Sequence, residues 1–192
     1  AGRLWQSGII FTAASFLAGL GNFAFQIIIG QNLKQSGEYG LVNTTLLASV
    51  VLAGVLGLQF SVRRYIPIVY WSTVVLVSVV GTLITDNLTD NFGVSLETTT
   101  LVFSVVLAIV FAAWYASERT LSIHSIYTRG RESFYWLAIL VTFALGTATG
   151  DLVSEELGLG YWKTGILCAL LIAAVTIAWR LGLNAVLALG RA

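Results

Sequence analysis

Charged residues are scarce in this chain: they make up 10% of its 192 residues, whereas a soluble domain typically has about 25%. So few charges cannot cover a water-exposed globule, which excludes a soluble globular protein. The net charge of +1 provides no basic surface for nucleic acid. The single cysteine, Cys168, excludes an internal disulfide, and its place inside an apolar run predicts a small buried hydrophobic residue.

Apolar residues account for 57% of the sequence and lie in long runs that contain many of the 19 glycines. Six runs are long enough, or nearly so, to cross about 30 Å of hydrocarbon; they are residues 8–30, 41–60, 65–85, 97–117, 134–150 and 161–179. Helices satisfy their own backbone in lipid, so the expected fold is an all-α polytopic transmembrane bundle of about six spans. We expect the first run to be a retained helix, and Leu181–Leu189 to be the start of a further helix that is cut off.

The basic residues predict an orientation. If the N-terminus is cytoplasmic, eight arginines fall on the inner side and only Lys34 and Lys163 fall on the outer side. We therefore expect both termini to lie in the cytoplasm, with the chain in a bacterial inner membrane.

The sequence repeats itself after a shift of 65 residues, with no gap across Tyr70–Tyr115. Tyr70-Trp71 then falls on Tyr135-Trp136, Gly81-Thr82 on Gly146-Thr147, Asp86 on Asp151, and Gly93 on Gly158. Two helices in each unit make the repeats parallel, as in several transporter folds. We expect one membrane domain over residues 1–192, with a divergent first hairpin (1–64), a repeat unit (65–129), and a second unit with the truncated start of a further helix (130–192).

Residues from about 60 to 188 resemble a family of bacterial uncharacterised membrane-anchored proteins built from tandem two-helix units. The motifs that carry the resemblance are RRYIPIVYWSTVVLVSVVGTLITDNLTDNFG, WYASERTLSIHSIYTRGRESFYWLAILVTFALGTATGDL and RLGLNAVLAL. The resemblance implies an inner-membrane, multi-helix bundle and brings no known activity. Residues 1–55, with FLAGLGNFAFQIIIGQNLKQSGEYGLVNTTLL, are similar to the first helices of polysaccharide flippases. A fusion, a truncation, an artificial sequence and a divergent first unit remain open.

Each repeat carries two acids four residues apart, Asp86 with Asp90 and Asp151 with Glu155. Like charges at this spacing repel on a helix, so the pairs favour a bound cation or proton, or a basic partner. Parallel repeats would bring four carboxylates around one axis, which suits a hard divalent cation. The 22 residues from Arg64 to Asp86 span about 33 Å as a helix, which places these acids near the outer interface. There they could equally end helices or cap the turns that follow.

Other repeated residues have structural interpretations. Gly81 and Gly146 favour close helix packing or a hinge, and Thr82 and Thr147 could bond across helices or to their own backbone. Aromatic residues gather at membrane interfaces, which is the role expected for the tryptophans Trp71, Trp114, Trp136, Trp162 and Trp179.

No phosphate-binding glycine loop, nucleophile elbow, zinc-ligand spacing or dinucleotide fingerprint occurs in the sequence, so neither an enzyme nor a cofactor is expected. Three functions remain. The first is a transporter or exporter of a small ion or solute that uses the four repeated acids. The second is an accessory membrane subunit that binds lipid, other membrane proteins or a second copy of itself. The third, based on residues 1–55 alone, is a flippase-like lipid carrier.

Overall fold

The computed structural model describes residues 38–62, 66–121 and 128–180, and their regular structure is entirely helical. The α-helices are α1 (Glu38–Ser61), α2 (Pro67–Asp86), α3 (Leu96–Glu118), α4 (Arg129–Asp151) and α5 (Gly160–Arg180). Two π-helical turns, Asn87–Asn91 and Leu152–Glu156, follow α2 and α4. The predicted all-α fold is confirmed. The predicted segments 8–30 and Leu181–Leu189 lie outside the described residues.

Within the described residues, four helical stretches are long and apolar enough to cross a membrane. They are Gly40–Ser61, Pro67–Asn91, Leu96–Glu118 and Arg129–Glu156, and α5 adds the shorter apolar stretch Gly160–Ala174. The chain is therefore a helical membrane protein. The helix observed at the expected span 134–150 is longer than predicted. It begins at Arg129, and its helical structure continues through the π turn that follows α4.

Local chemistry explains where α2 and α3 begin and end. Pro67 starts α2 after the extended residue Ile66, at the position where the missing N–H of proline costs nothing. The Ser95 side chain caps α3 by accepting a hydrogen bond from the Thr98 N–H. Arg119, in the left-handed region at φ 54°, ends the same helix.

The chain divides into two compact units, with the boundary inside α4 between Ala148 and Thr149. In the first unit, α2 is the central helix. Five consecutive residues, 77–81, are buried, and consecutive residues point to different sides of a helix, so α2 is covered on more than one side. Its side chains Val77, Val80 and Leu83 form one core with Ala48 and Leu52 of α1 and with Trp136 of α4. A smaller core joins α3 to α4 through Val110, Trp114 and Ala138.

The second unit contains the last residues of α4, the π turn and α5. Among the described side chains of α5, Thr164 is the buried one. Cys168 is exposed, so the prediction that it is buried is wrong. Lipid tails are as apolar as a protein core, so an apolar helix of a membrane protein can hold a cysteine outside the protein core.

Candidate functional site

The first helix of each repeat ends with the same irregular structure. After Asp86, the Phe92 N–H donates to the Asn87 carbonyl oxygen at 3.1 Å, which closes an i to i+5 turn. After Asp151, the Leu157 N–H donates to the Leu152 carbonyl oxygen at 3.0 Å. These turns lie 65 residues apart, so the repeat holds in secondary structure as well as in sequence.

Each π turn is followed by a glycine in the left-handed region, Gly93 at φ 64° and Gly158 at φ 67°. A side chain would be strained there, which explains a glycine at both positions. We call residues 86–93 and residues 151–158 the first and second tips. π-helical turns are rare in proteins and are found frequently at functional sites.

The first tip is rich in polar contacts. The Asn87 side-chain amide donates to the Thr45 hydroxyl oxygen of α1 at 2.7 Å, and its carbonyl oxygen accepts from the Asn91 amide at 2.8 Å. Thr89 donates to a carboxylate oxygen of Asp90 at 3.3 Å. Asp86 is half-buried and Asp90 is exposed. This tip is therefore held to α1 through Asn87, while its two acids lie one turn apart at the helix end.

The second tip has a different hydrogen-bonding arrangement. Asp151 is half-buried and Glu155 is exposed. The Tyr161 hydroxyl donates to Oε1 of Glu155 at 2.6 Å. Neither Asp86 nor Asp151 caps its π turn with a side-chain hydrogen bond. Each acid is the last residue of its α-helix, so the interpretation that these acids end helices is confirmed. The capping interpretation is wrong, because the backbone continues helically past each acid and leaves no extended cap residue there.

A multi-carboxylate metal centre is not found within residues 38–62, 66–121 and 128–180, where no group of three or more His, Cys, Asp or Glu residues is placed to hold a metal ion. The first tip has two carboxylates, Asp86 and Asp90, and the second has three, Asp151, Glu155 and Glu156, and neither set is placed to hold a metal ion. The chemistry of a single tip therefore fits a proton or a weakly held cation better than a resident metal.

Helices α2 and α4 meet through residues that are equivalent in the repeat. The Tyr70 and Tyr135 hydroxyl oxygens lie 2.6 Å apart, and those of Thr82 and Thr147 lie 3.1 Å apart. A residue can contact its own equivalent only when both helices present the same face to each other, about an approximate two-fold axis. We call this α2–α4 contact the seam. Its two polar pairs are 12 residues apart in the sequence, or about 18 Å along a helix.

The two helices are in close contact at Gly81. A Cβ atom there would lie 2.8 Å from Cβ of Phe143 and 3.1 Å from the Leu140 carbonyl oxygen. One turn further, the Thr85 hydroxyl donates to the Ala144 carbonyl oxygen at 3.0 Å. Gly146, the equivalent of Gly81, would have no atom within 4 Å of an added Cβ. The structure thus places one glycine of the pair at the helix crossing and leaves the other in open space.

The tryptophans occupy different surroundings. Trp114 and Trp136 are buried, and Trp114 stacks between Phe111 and Phe134 with ring centroids 6.5 and 6.3 Å away. Trp71 is half-buried and Trp162 is 88% exposed, while the Trp179 side chain lies outside the described residues. Burial in helix packing gives Trp114 and Trp136 a structural role. The interfacial role of the set stays a prediction.

One polar cluster was not anticipated from the sequence. Oε1 of Glu132 accepts hydrogen bonds from the Gln59 amide of α1 at 3.0 Å and from the Trp136 indole at 3.5 Å. Beside it, Nε of Arg131 pairs with Oε2 of Glu118 at 2.6 Å. The available signal was the spacing: Glu132 precedes Trp136 by four residues, which places both on one helix face.

The comparisons with known proteins identify the repeat. A family model described as Repeat of Unknown Function (DUF347) matches residues 69–120 and again residues 134–181, which together are just over half of the chain. The two matches begin 65 residues apart, in agreement with the internal repeat. Comparisons with curated proteins and with solved structures gave no significant match. The bacterial origin and the flippase likeness of residues 1–55 stay predictions.

Proposed function

The chain belongs to the DUF347 repeat family, and from this premise we propose that it is a transporter or exporter of a small ion or solute. In this proposal Asp86, Asp90, Asp151 and Glu155 bind the ion or proton. The observation that carries the proposal is the π turn that recurs in both repeats, preceded by an acid and containing Asp90 in the first repeat and Glu155 and Glu156 in the second.

The π turn is an uncommon structure for a helix end. An ordinary α-helical terminus would satisfy the same backbone groups, and its hydrogen-bond geometry is the commoner one. In each tip a half-buried acid ends the α-helix, and a second acid four residues later lies within the π turn. A carboxylate that is partly withdrawn from water next to a second carboxylate gains free energy from a cation or a proton. This is the property required of a transient ion site.

The proposed topology follows from the arginine distribution. If the chain lies in a bacterial inner membrane with both termini in the cytoplasm, the tips lie at the outer surface. The free-energy cost of an acid there is much lower than the roughly 2.5–3.5 kcal/mol at the bilayer centre. Ion binding at the tips would then be the outer step of transport. No enzymatic reaction and no cofactor belongs to the proposal.

Ion binding can be measured by its effect on stability. Purified protein in nanodiscs would be unfolded thermally over a range of pH and of Na⁺, K⁺, Mg²⁺ and Ca²⁺ concentrations. A ligand at 100 times its Kd stabilises the folded state by about 2.7 kcal/mol. We expect such a shift in the wild type and its loss in the double variant Asp86→Asn plus Asp151→Asn. Flux of the same ion into proteoliposomes should also be lower in the double variant than in the wild type.

Glu97→Gln is the matched control. Glu97 is an exposed acid in the first turn of α3, and its repeat equivalent is Trp162, so it belongs to no repeated pair. This variant should keep the full thermal shift. The ion-site proposal fails if no cation and no pH change shifts the unfolding temperature of the wild type. It also fails if the unfolding temperature of the double variant shifts as much as that of the wild type.

A non-transporting accessory subunit is the second candidate, and the seam favours it. Tyr70 is hydrogen-bonded to Tyr135, and Thr82 to Thr147. Phe143 also packs tightly against Gly81, as expected for a permanent helix contact. Cross-linking in native membranes distinguishes the two functions. One stoichiometric protein partner, or a second copy of the chain, together with absent flux would favour the accessory role.

A further inference from the structure

Helices α2 and α4 carry pairs of small residues at equivalent positions of the repeat. Gly81 and Thr85 of α2 correspond to Gly146 and Gly150 of α4, and the members of each pair are four residues apart. Residues at this spacing lie one above the other on the same face of a helix. In membranes, faces of this kind allow the backbones of two helices to approach closely. The two repeats therefore have the same kind of packing face.

In the first repeat this face is occupied by another helix. A Cβ atom added at Gly81 would lie 2.8 Å from Cβ of Phe143 in α4. One turn later, the Thr85 hydroxyl donates to the Ala144 carbonyl oxygen of α4 at 3.0 Å. The protein itself thus shows what such a face binds, which is a neighbouring helix at backbone distance.

The equivalent face of α4 has no such neighbour in the part of the chain that the structure describes. A Cβ atom added at Gly146 or at Gly150 would meet no atom within 4 Å. Thr142, one turn before Gly146, is exposed, and so is Thr149. These four residues lie within Arg129–Glu156, which is long and apolar enough to cross a membrane. We call Thr142, Gly146, Thr149 and Gly150 the glycine face.

The hydroxyl of Thr149 distinguishes a protein partner from lipid. The other serine and threonine hydroxyls of α4 each donate to the backbone carbonyl four residues earlier; they belong to Ser133, Thr142 and Thr147. Thr149 makes no hydrogen bond to the described residues. Lipid tails offer a hydroxyl no acceptor, whereas a facing helix offers carbonyl and hydroxyl oxygens. The glycine face therefore suits a helix better than acyl chains.

We propose that the glycine face binds a second copy of this chain, with the glycine faces of the two copies packed against each other. The Gly-x-x-x-Gly spacing at Gly146 and Gly150 is typical of membrane helices that self-associate. The side of α4 around Leu140–Ala144 is taken by α2 within each copy, which leaves the glycine face for a contact about a two-fold axis. None of its four residues is charged. The contact does not require ion binding at the tips.

Oxidative cross-linking in native membranes tests the contact directly. A two-fold axis brings each residue of the face near its own copy, so a single introduced cysteine is enough. In a Cys168→Ala background, Thr149→Cys should form a disulfide-linked species of twice the monomer mass. Ser104→Cys, at an exposed position of α3, is the control and should stay monomeric. The proposal is overturned if Thr149→Cys stays monomeric, links to a different protein, or links no better than Ser104→Cys.

Energy transfer between copies labelled at the exposed Cys168 measures the affinity in liposomes of varied protein-to-lipid ratio. Gly146→Leu should raise the dissociation constant of the dimer at least about tenfold, because the leucines would force the helices apart. Gly54→Leu is the matched control, since Gly54 of α1 also has no atom within 4 Å of an added Cβ, and it should leave the constant unchanged.

Two results in these assays would overturn the proposal. The first is equal energy transfer in the wild type and Gly146→Leu. The second is a lower unfolding temperature of Gly146→Leu than of the wild type in nanodiscs that hold one copy each, because the face would then be covered within a single chain. Either result leaves the cation assay at the tips unaffected.

Discussion

Replacing Gly81 with alanine perturbs a close backbone contact of the α2–α4 seam. The new Cβ would lie 2.8 Å from Cβ of Phe143, and 3.1 Å from both the Ala144 nitrogen and the Leu140 carbonyl oxygen. Two of these three atoms belong to the backbone, which cannot rotate away as a side chain can. The helices must therefore move apart, and overpacking of this kind costs about 1–3 kcal/mol.

Helix propensity acts in the opposite direction and has to be separated from packing. Alanine is favoured over glycine in a helix interior by about 1 kcal/mol. Gly146→Ala is the matched control, because it is the repeat equivalent of Gly81 within a helix and has no atom within 4 Å of the added Cβ. Propensity is common to both variants and cancels in their difference. Gly146→Ala should therefore be more stable than Gly81→Ala by about 1–3 kcal/mol.

Equilibrium unfolding in bicelles or nanodiscs measures this difference. Gly81→Ala should unfold at a lower temperature or denaturant concentration than the wild type, and Gly146→Ala at an equal or higher one. Equal stability of the two alanine variants would refute the reasoning, because it would mean that Gly81 is not in close contact with α4.

Two further predictions concern contacts within the first unit. A double-mutant cycle of Thr82→Val and Thr147→Val should give a coupling free energy of about 0.6 kcal/mol, the average for interhelical hydrogen bonds in membranes, and a coupling of zero would contradict the hydroxyl contact. A cycle of Glu118→Gln and Arg131→Gln should give less than about 1 kcal/mol, and less still at high salt, since both side chains are a fifth to a quarter exposed. A salt-independent coupling would indicate a fully buried ion pair instead.

Hydropathy and the 65-residue shift were sufficient to predict the helices and the repeat. Apolar length decides which segments can span lipid, and paired landmarks such as Tyr70-Trp71 and Tyr135-Trp136 fix the register. The left-handed glycine at the end of the first tip has a local signal too, because DNLTDNFG is rich in turn-forming residues and ends in Gly93.

The π turns could not be predicted in the same way. Their i to i+5 bonds depend on how the end of the helix packs, for example on the bond from Asn87 to Thr45 of α1, and no local residue pattern specifies that contact. The unequal surroundings of Gly81 and Gly146 were equally hidden. Phe143 of α4 reaches Gly81, whereas its repeat equivalent on α2 is the small residue Ser78, which does not reach Gly146.

The candidate acids were found by their repetition, but Glu132 was not, because its repeat equivalent is Pro67. A repeat search therefore cannot detect it. Its partner Gln59 lies 73 residues away in the sequence, so the contact depends on the packing of α1 against α4. Sequence repetition identifies what the two units share, and only the tertiary structure shows what distinguishes them.

Cysteine cross-linking tests the face-to-face contact of the two repeats most directly. In a Cys168→Ala background, Thr82→Cys and Thr147→Cys would be introduced together and oxidised in the membrane. Because the two hydroxyl oxygens lie 3.1 Å apart, we expect an intramolecular disulfide. The control pair, Ser72→Cys with Thr147→Cys, should not form one, since Ser72 lies about 15 Å further back along α2. Failure of the first pair to cross-link, or equal cross-linking of both pairs, would contradict the seam.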